Sequence, residues 1–234
     1  MGGRYWIWLG GRLLAAVVIV GWAASYMTPG RGEKEFQRAL DALKQVRSVR
    51  IAEVGNPTPT QHSEFSAELV CAQDAYHSHW HIVSSDPDHP SDSDNDNIQV
   101  GYISYAHMPD GSWQKDRYPG RGGSAKTFCR QLAQGEDTTA FPPIATMIKR
   151  GILEKGDKKT VNGVRCREWQ VTMRGGFSGL EHDTVCLGLD DHLPYETTVD
   201  YAHSRTTFSD YNSPFQIDLP QAALESTSAN SGSN

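Results

Sequence analysis

The segment His77-Ser78-His79-Trp80-His81 is the pattern in this sequence that is most suited to chemistry. Successive side chains of a strand point to opposite faces, so His77, His79 and His81 are expected on one face. Imidazoles two residues apart lie about 7 Å apart along a strand, so a shared zinc or copper ion needs strand twist or a further ligand. The alternative is a solvated strand face whose positive charge rises as the pH falls.

An acidic segment, Asp86–Asn97, follows the histidines and is predicted to be a long exposed loop, because its only apolar residues are prolines. From Asp92 it resembles the start of a calcium-binding loop, but it lacks the sixth-position glycine and has Ile103 at the twelfth position. The glycine-rich stretches 120–127 and 175–179 lack the spacings of a phosphate-binding loop and a nucleophile elbow. The sequence therefore predicts a protein that is not an enzyme and has no cofactor.

The four cysteines have no C-x-x-C spacing, which excludes zinc-ribbon and thioredoxin-type sites. Two predicted strands, 164–173 and 184–189, are joined by a glycine-rich turn, and folding them about Gly176 sets Cys166 opposite Cys186. By elimination, the second disulfide joins Cys71 to Cys129. The alternative is four free thiols.

The N-terminal residues 1–27 combine Arg4 and Arg12 with a long apolar run that ends in small residues. This order is typical of an export segment, and both a cleaved signal peptide and a single transmembrane anchor fit it. The rest of the chain is then exported, to the periplasm or the outer face of the inner membrane. Of the 22 basic residues 20 lie beyond this segment, against 28 acidic ones, so the exported part has a net charge of -8. Nucleic acid is therefore excluded as a partner.

The remaining sequence predicts one α+β domain over residues 33–220, after a linker at 28–32 and before a disordered tail at 221–234. Apolar spacing predicts an amphipathic helix over Glu33–Arg47, and two further helices are predicted at 124–132 and 144–153. Elsewhere polar and apolar residues alternate without a strand-helix-strand rhythm. This indicates a single antiparallel sheet of seven to ten strands with a few helices on one side.

Three short motifs near the C-terminus are similar to those of a known family: Leu193-Pro194, Phe208-Ser209-Asp210-Tyr211 and Ile217-Asp218-Leu219-Pro220. With the surrounding Leu189–Pro220 they resemble the lipoprotein-carrier superfamily that includes LolA, LolB and LppX-type proteins. The resemblance implies an open, curved antiparallel half-barrel whose concave face, covered by helices, holds acyl chains. Related envelope domains sense misplaced lipoproteins. The chain departs from this family in its four cysteines and its acidic segment.

The leading functional hypothesis is a non-enzymatic cell-envelope protein that binds a lipid or lipoprotein on a curved sheet. The predicted lining consists of alternating apolar residues: Phe65, Leu69, Tyr76, Trp80, Ile82, Val100, Tyr102 and Trp169. A second hypothesis is a membrane-tethered sensor or protein-interaction module of the same fold. A third is a metal-sequestering protein that uses His77, His79 and His81.

Overall fold

The computed structural model describes residues 30–117, 124–136, 141–174, 180–200 and 202–221, which contain three α-helices and eleven strands. The helices are α1 (Arg31–Leu43), α2 (Ala125–Gln134) and α3 (Ile144–Arg150). The strands are β1 (Ser48–Thr58), β2 (Gln61–Val70), β3 (Ala75–Ser84), β4 (Ser91–Val100), β5 (Ile103–His107), β6 (Trp113–Arg117), β7 (Ile152–Val161), β8 (Val164–Arg174), β9 (Leu180–Gly188), β10 (Pro194–Val199) and β11 (Ser204–Ser209).

All eleven strands form one antiparallel sheet in the order β6-β5-β4-β3-β2-β1-β11-β10-β9-β8-β7. The sheet consists of two meanders, β1–β6 and β7–β11, which are joined where β1 pairs with β11. The sheet is not closed, because β6 and β7 are its two edges. The α+β prediction is confirmed, and the number of strands exceeds the predicted seven to ten by one.

The predicted N-terminal export segment, residues 1–27, lies outside the described residues. Among those described, no helix has both the length and the apolar character needed to cross a membrane. Helix α1 begins at Arg31, inside the predicted linker 28–32, and its first turn is capped by the Glu33 carboxylate, which accepts a hydrogen bond from the Gly30 backbone N–H at 2.9 Å.

The three helices cover one face of the sheet, which we call the helix-covered face. Phe36 of α1 lies edge-on against Trp169 of β8, and Phe141, just before α3, stacks on Phe208 of β11. The other face, the open face, has a smaller apolar cluster at one end. There Ile217 of the C-terminal segment packs with a set from β2 to β5: Val70, Ala75, Ile98 and Tyr105.

Two local predictions are wrong. The acidic segment is a loop only up to Pro90, because Ser91–Val100 forms β4 and pairs in unbroken register with Ser84–Ala75 of β3. The composition suggested a loop, but cross-strand pairing with the histidine strand stabilises an extended conformation instead. The helix predicted over 144–153 ends at Arg150, and after Gly151 the chain continues as β7.

Both predicted disulfides are present: Cys71–Cys129 and Cys166–Cys186, with Cα separations of 6.0 and 5.5 Å. The predicted register of the second is shifted by two residues. Cys166 lies opposite Gly188 and Cys186 lies opposite Glu168, so this disulfide links diagonal neighbours on one face. The first disulfide ties the end of β2 to α2.

Candidate functional site

An apolar strip on the helix-covered face runs from the core towards solvent along β3. Tyr76 stacks on Phe128 of α2, with ring centroids 5.8 Å apart. Further along the same face, Trp80 contacts Phe65 of β2 at 4.5 Å between centroids. Phe65 is buried, but Trp80 is 36% exposed and Ile82 beyond it is half-buried. The helices therefore leave the outer part of this apolar strip open to solvent.

The other predicted lining residues occupy different environments. Leu69 and Trp169 are on the helix-covered face but are packed in the core, and Trp169 is only 3% exposed. Val100 pairs with Ala75 in β3 and packs with the open-face cluster, so it lies on the opposite face from Trp80. Tyr102 lies in the two-residue turn between β4 and β5 and is 58% exposed. Residue parity counted from Trp80 does not extend to these two residues, because the loop between β3 and β4 sets the face of Val100 and the turn after β4 takes Tyr102 out of the strand.

The three histidines share one face, as predicted, which is the open face, and each contacts an aspartate of β4 that is its diagonal neighbour in the register. The three contacts, which we call the His–Asp ladder, are His77–Asp96 at 2.6 Å, His79–Asp94 at 3.4 Å and His81–Asp92 at 3.0 Å. In the described part of the chain, no three His, Cys, Asp or Glu side chains are grouped so that they could hold a metal ion. The arrangement is one of separate cross-strand pairs.

The part of β4 that carries the aspartates of the ladder has one backbone side unpaired among the described strands, and we call this side the β4 edge. β5 pairs only with Asn97–Val100, so among the described residues no strand pairs with the outer side of Ser91–Asp96. The ten β3–β4 pairs contain no register shift, so this edge is regular. Backbone groups on a regular, unpaired edge can accept a further strand, and charged side chains restrict which strand is accepted.

A buried ionic cluster lies elsewhere on the open face. Glu196 of β10 is only 3% exposed; it accepts hydrogen bonds from Lys159 at 2.5 Å and from Arg205. Lys159 also donates to Glu168 at 2.5 Å. Burial alone would raise the pKa of Glu196, but the hydrogen bonds and positive charges of Lys159 and Arg205 outweigh it and hold the pKa below its usual value. Glu168 and Glu196 flank Cys186 in register.

A pocket of about 190 Å³ lies between α1 and strands β7–β9, and we call it the α1 pocket. Its charged and aromatic lining residues are Glu35, Arg38, Lys155, Arg167, Trp169 and His192. Sequence reasoning missed this pocket because its residues come from four separate parts of the chain. The only signal in the sequence was the helical position of Glu35 and Arg38 on one side of α1.

Comparisons with known proteins show a likeness of structure and none of sequence. No protein-family model and no curated protein matches the sequence. Among solved structures, LprF from Mycobacterium bovis is 13% identical, with 82% of this chain and 99% of LprF covered at a TM-score of 0.60. The fold is similar to that of LprF.

Other solved structures match this domain less closely. A LolA superfamily protein from Nitrosomonas europaea, NE2245, is 11% identical over 81% of this chain and 94% of its own, with a TM-score of 0.26. The Pseudomonas aeruginosa MucA/MucB complex contains a chain that is 14% identical, with 82% of this chain and 60% of that chain covered at a TM-score of 0.43. This chain thus spans about 60% of that match. At these identities the likeness concerns the fold alone.

Proposed function

We propose that this chain is a non-enzymatic cell-envelope protein that binds a hydrophobic or lipidated ligand on the helix-covered face. The observation that carries the proposal is the half-open apolar strip, in which Trp80 lies exposed beside buried Phe65 within a LolA-like fold. An acyl chain placed along Trp80 and Ile82 would remove their apolar surface from water, at about 25 cal/mol per Å². The two disulfides support an exported location, since such bonds persist in oxidising compartments.

Substitution of Trp80 tests this proposal. We expect Trp80→Ala to weaken binding of a fluorescent fatty acid by about tenfold, because a central aromatic residue contributes most of the contact area. Tyr102→Ala is the matched control, since Tyr102 is also an exposed aromatic residue but lies in a hairpin turn away from the strip. Mass spectrometry of the purified protein should detect bound lipid. Equal affinities in all three proteins, or no binding at all, would contradict the proposal.

A second candidate function is a membrane-tethered protein-interaction module, and the β4 edge favours it. Asp92 and Asp94 are mostly exposed beside a regular backbone edge, and the chain is acidic overall, with a net charge of -6. The binding partner that fits is an extended segment in which every second residue is basic. Such a segment would add to β4 as a strand and place its cations against the aspartates.

A synthetic peptide of alternating lysine and valine tests this second function. Binding is expected to be lost when Asp92, Asp94 and Asp96 are all replaced by asparagine, and to persist in Asp116→Asn, an acid on β6. A peptide of the same composition with interspersed prolines should not bind, because proline lacks the backbone donor that strand pairing needs. If the proline peptide binds equally well, the attraction is general electrostatics and the edge is not a docking site.

A further inference from the structure

We infer that the α1 pocket binds a phosphate-type anion, either as a free ion or as the head group of an amphiphile. This inference rests on the proposed ligand-binding function and adds the chemical class of the ligand's polar end. The shared chemistry is that of a phosphate ester or free phosphate. The observations that carry it are the charge of the pocket, the surroundings of Arg167 and the apolar floor.

The α1 pocket is cationic in an acidic chain. Arg38, Lys155 and Arg167 line it against the single carboxylate of Glu35. Both oxygens of that carboxylate have cationic or imidazole neighbours: Oε1 contacts Arg38 Nη1 at 3.0 Å and Oε2 lies 3.3 Å from His192 Nδ1. Glu35 therefore offsets the charge of Arg38, while Arg167 lies on the far side of the pocket, on β8.

Arg167 is a half-buried cation with no carboxylate partner among the described residues. Its Nη1 donates to the backbone oxygen of Gly156 at 3.0 Å, and no ion pair joins it to an acid in the part of the chain that the structure describes. A guanidinium has five N–H donors in a planar fork that matches the oxygens of a phosphate or carboxylate. Removing such a charge partly from water is unfavourable unless an anion compensates it.

The floor of the pocket is apolar and continuous with the core. Trp169 and Leu187 are buried there, and Trp169 contacts Phe36 of α1. The volume of about 190 Å³ is smaller than the roughly 300–1,000 Å³ of sites that enclose a whole small molecule. The pocket therefore admits a head group, while the rest of an amphiphile must lie elsewhere.

The test compares two detergents with the same alkyl chain, dodecyl phosphate and dodecyl maltoside. The wild-type protein should prefer dodecyl phosphate, and the double variant Arg167→Gln with Lys155→Gln should lose the preference, at about fivefold per cation removed. Lys115→Gln makes the same kind of charge change on β6, at the other edge of the sheet, and should keep the preference. Thermal melting curves confirm that each variant is folded.

Two further measurements separate the sources of the anion. Inorganic phosphate should displace dodecyl phosphate but not dodecyl maltoside. If the protein floats with phosphatidylglycerol vesicles but not with phosphatidylcholine vesicles, a membrane lipid is the source of the anion. Equal affinity for the two detergents overturns the anion site and leaves alkyl binding intact. If neither detergent binds, the proposed function fails. The anion site would then be tested by NMR: chemical-shift changes at Arg167 on adding phosphate, absent in the double variant, would support it. An absence of such changes in the wild-type protein would overturn the anion site.

Discussion

Glu196 is a buried carboxylate that depends on its charged neighbours. Lys159 and Arg205 each hold one of its oxygens, and Glu168 shares Lys159, so positive and negative charges balance within the cluster. Breaking such a pair by removing one member leaves charges without compensation, which costs more than the intact pair contributes. The cluster therefore fixes the relative positions of β7, β8, β10 and β11.

Replacing Glu196 with glutamine should lower the free energy of unfolding by about 2 kcal/mol near neutral pH, the usual worth of a hydrogen bond to a charged group. Because the folded state holds the pKa of Glu196 below its usual value of 4.5, its stabilisation is fully present above that pH. The stabilisation is lost as the pH falls through the lower folded-state pKa. The difference between wild type and Glu196→Gln should therefore shrink in acid.

Urea unfolding at a series of pH values measures this difference directly. Glu154→Gln, an exposed glutamate on β7, is the control and should change stability little at any pH. A wild-type-to-Glu196→Gln difference that stays constant from neutral to strongly acidic pH would contradict the role given to the cluster.

At the scale of elements, β3 and β4 show what the sequence can predict. Alternation placed the histidines on one face and Trp80 on the other, because strand periodicity is a local property. The same reasoning failed for β4, whose polar residues are extended only because β3 pairs with them in register. Strand pairing is a long-range property, so composition alone suggested a loop.

Local sequence patterns also could not predict the strand register or which distant residues meet in the α1 pocket. The disulfide pairing was predicted, but β8 and β9 pair about a centre one residue beyond Gly176, so the register differs by two residues from the predicted one. The α1 pocket brings Glu35 close to His192, at 3.3 Å, although they lie at opposite ends of the domain's sequence. No periodicity encodes such a contact, because it depends on where α1 crosses the sheet.

At the scale of the whole molecule, each disulfide restrains one meander. Cys166–Cys186 lies within β8–β9 and closes a separation of 20 residues, whereas Cys71–Cys129 spans 58 residues and ties α2 to the first meander. Longer loops lose more entropy when they are cross-linked in the unfolded chain. The Cys71–Cys129 bond should therefore be an important part of the stability of this domain.

Replacing Cys71 and Cys129 with alanine should lower the free energy of unfolding by about 4 kcal/mol, from the loop-entropy relation. Urea unfolding under non-reducing conditions checks the value. The single variant Cys71→Ala removes the same cross-link and should cost nearly as much as the double variant. A loss below about 1 kcal/mol in the double variant would show that the unfolded chain is already restricted without the bond.

The pairing of β1 with β11 has a consequence for the order of folding during synthesis. The first strand of the domain must wait for the last, because the register that joins Arg50 to Ser209 needs nearly the whole domain to be present. A chain that emerges N-terminus first from the ribosome therefore cannot complete its sheet halfway through synthesis. The first meander has to keep the free edge of β1 unpaired until the C-terminal strand has been made.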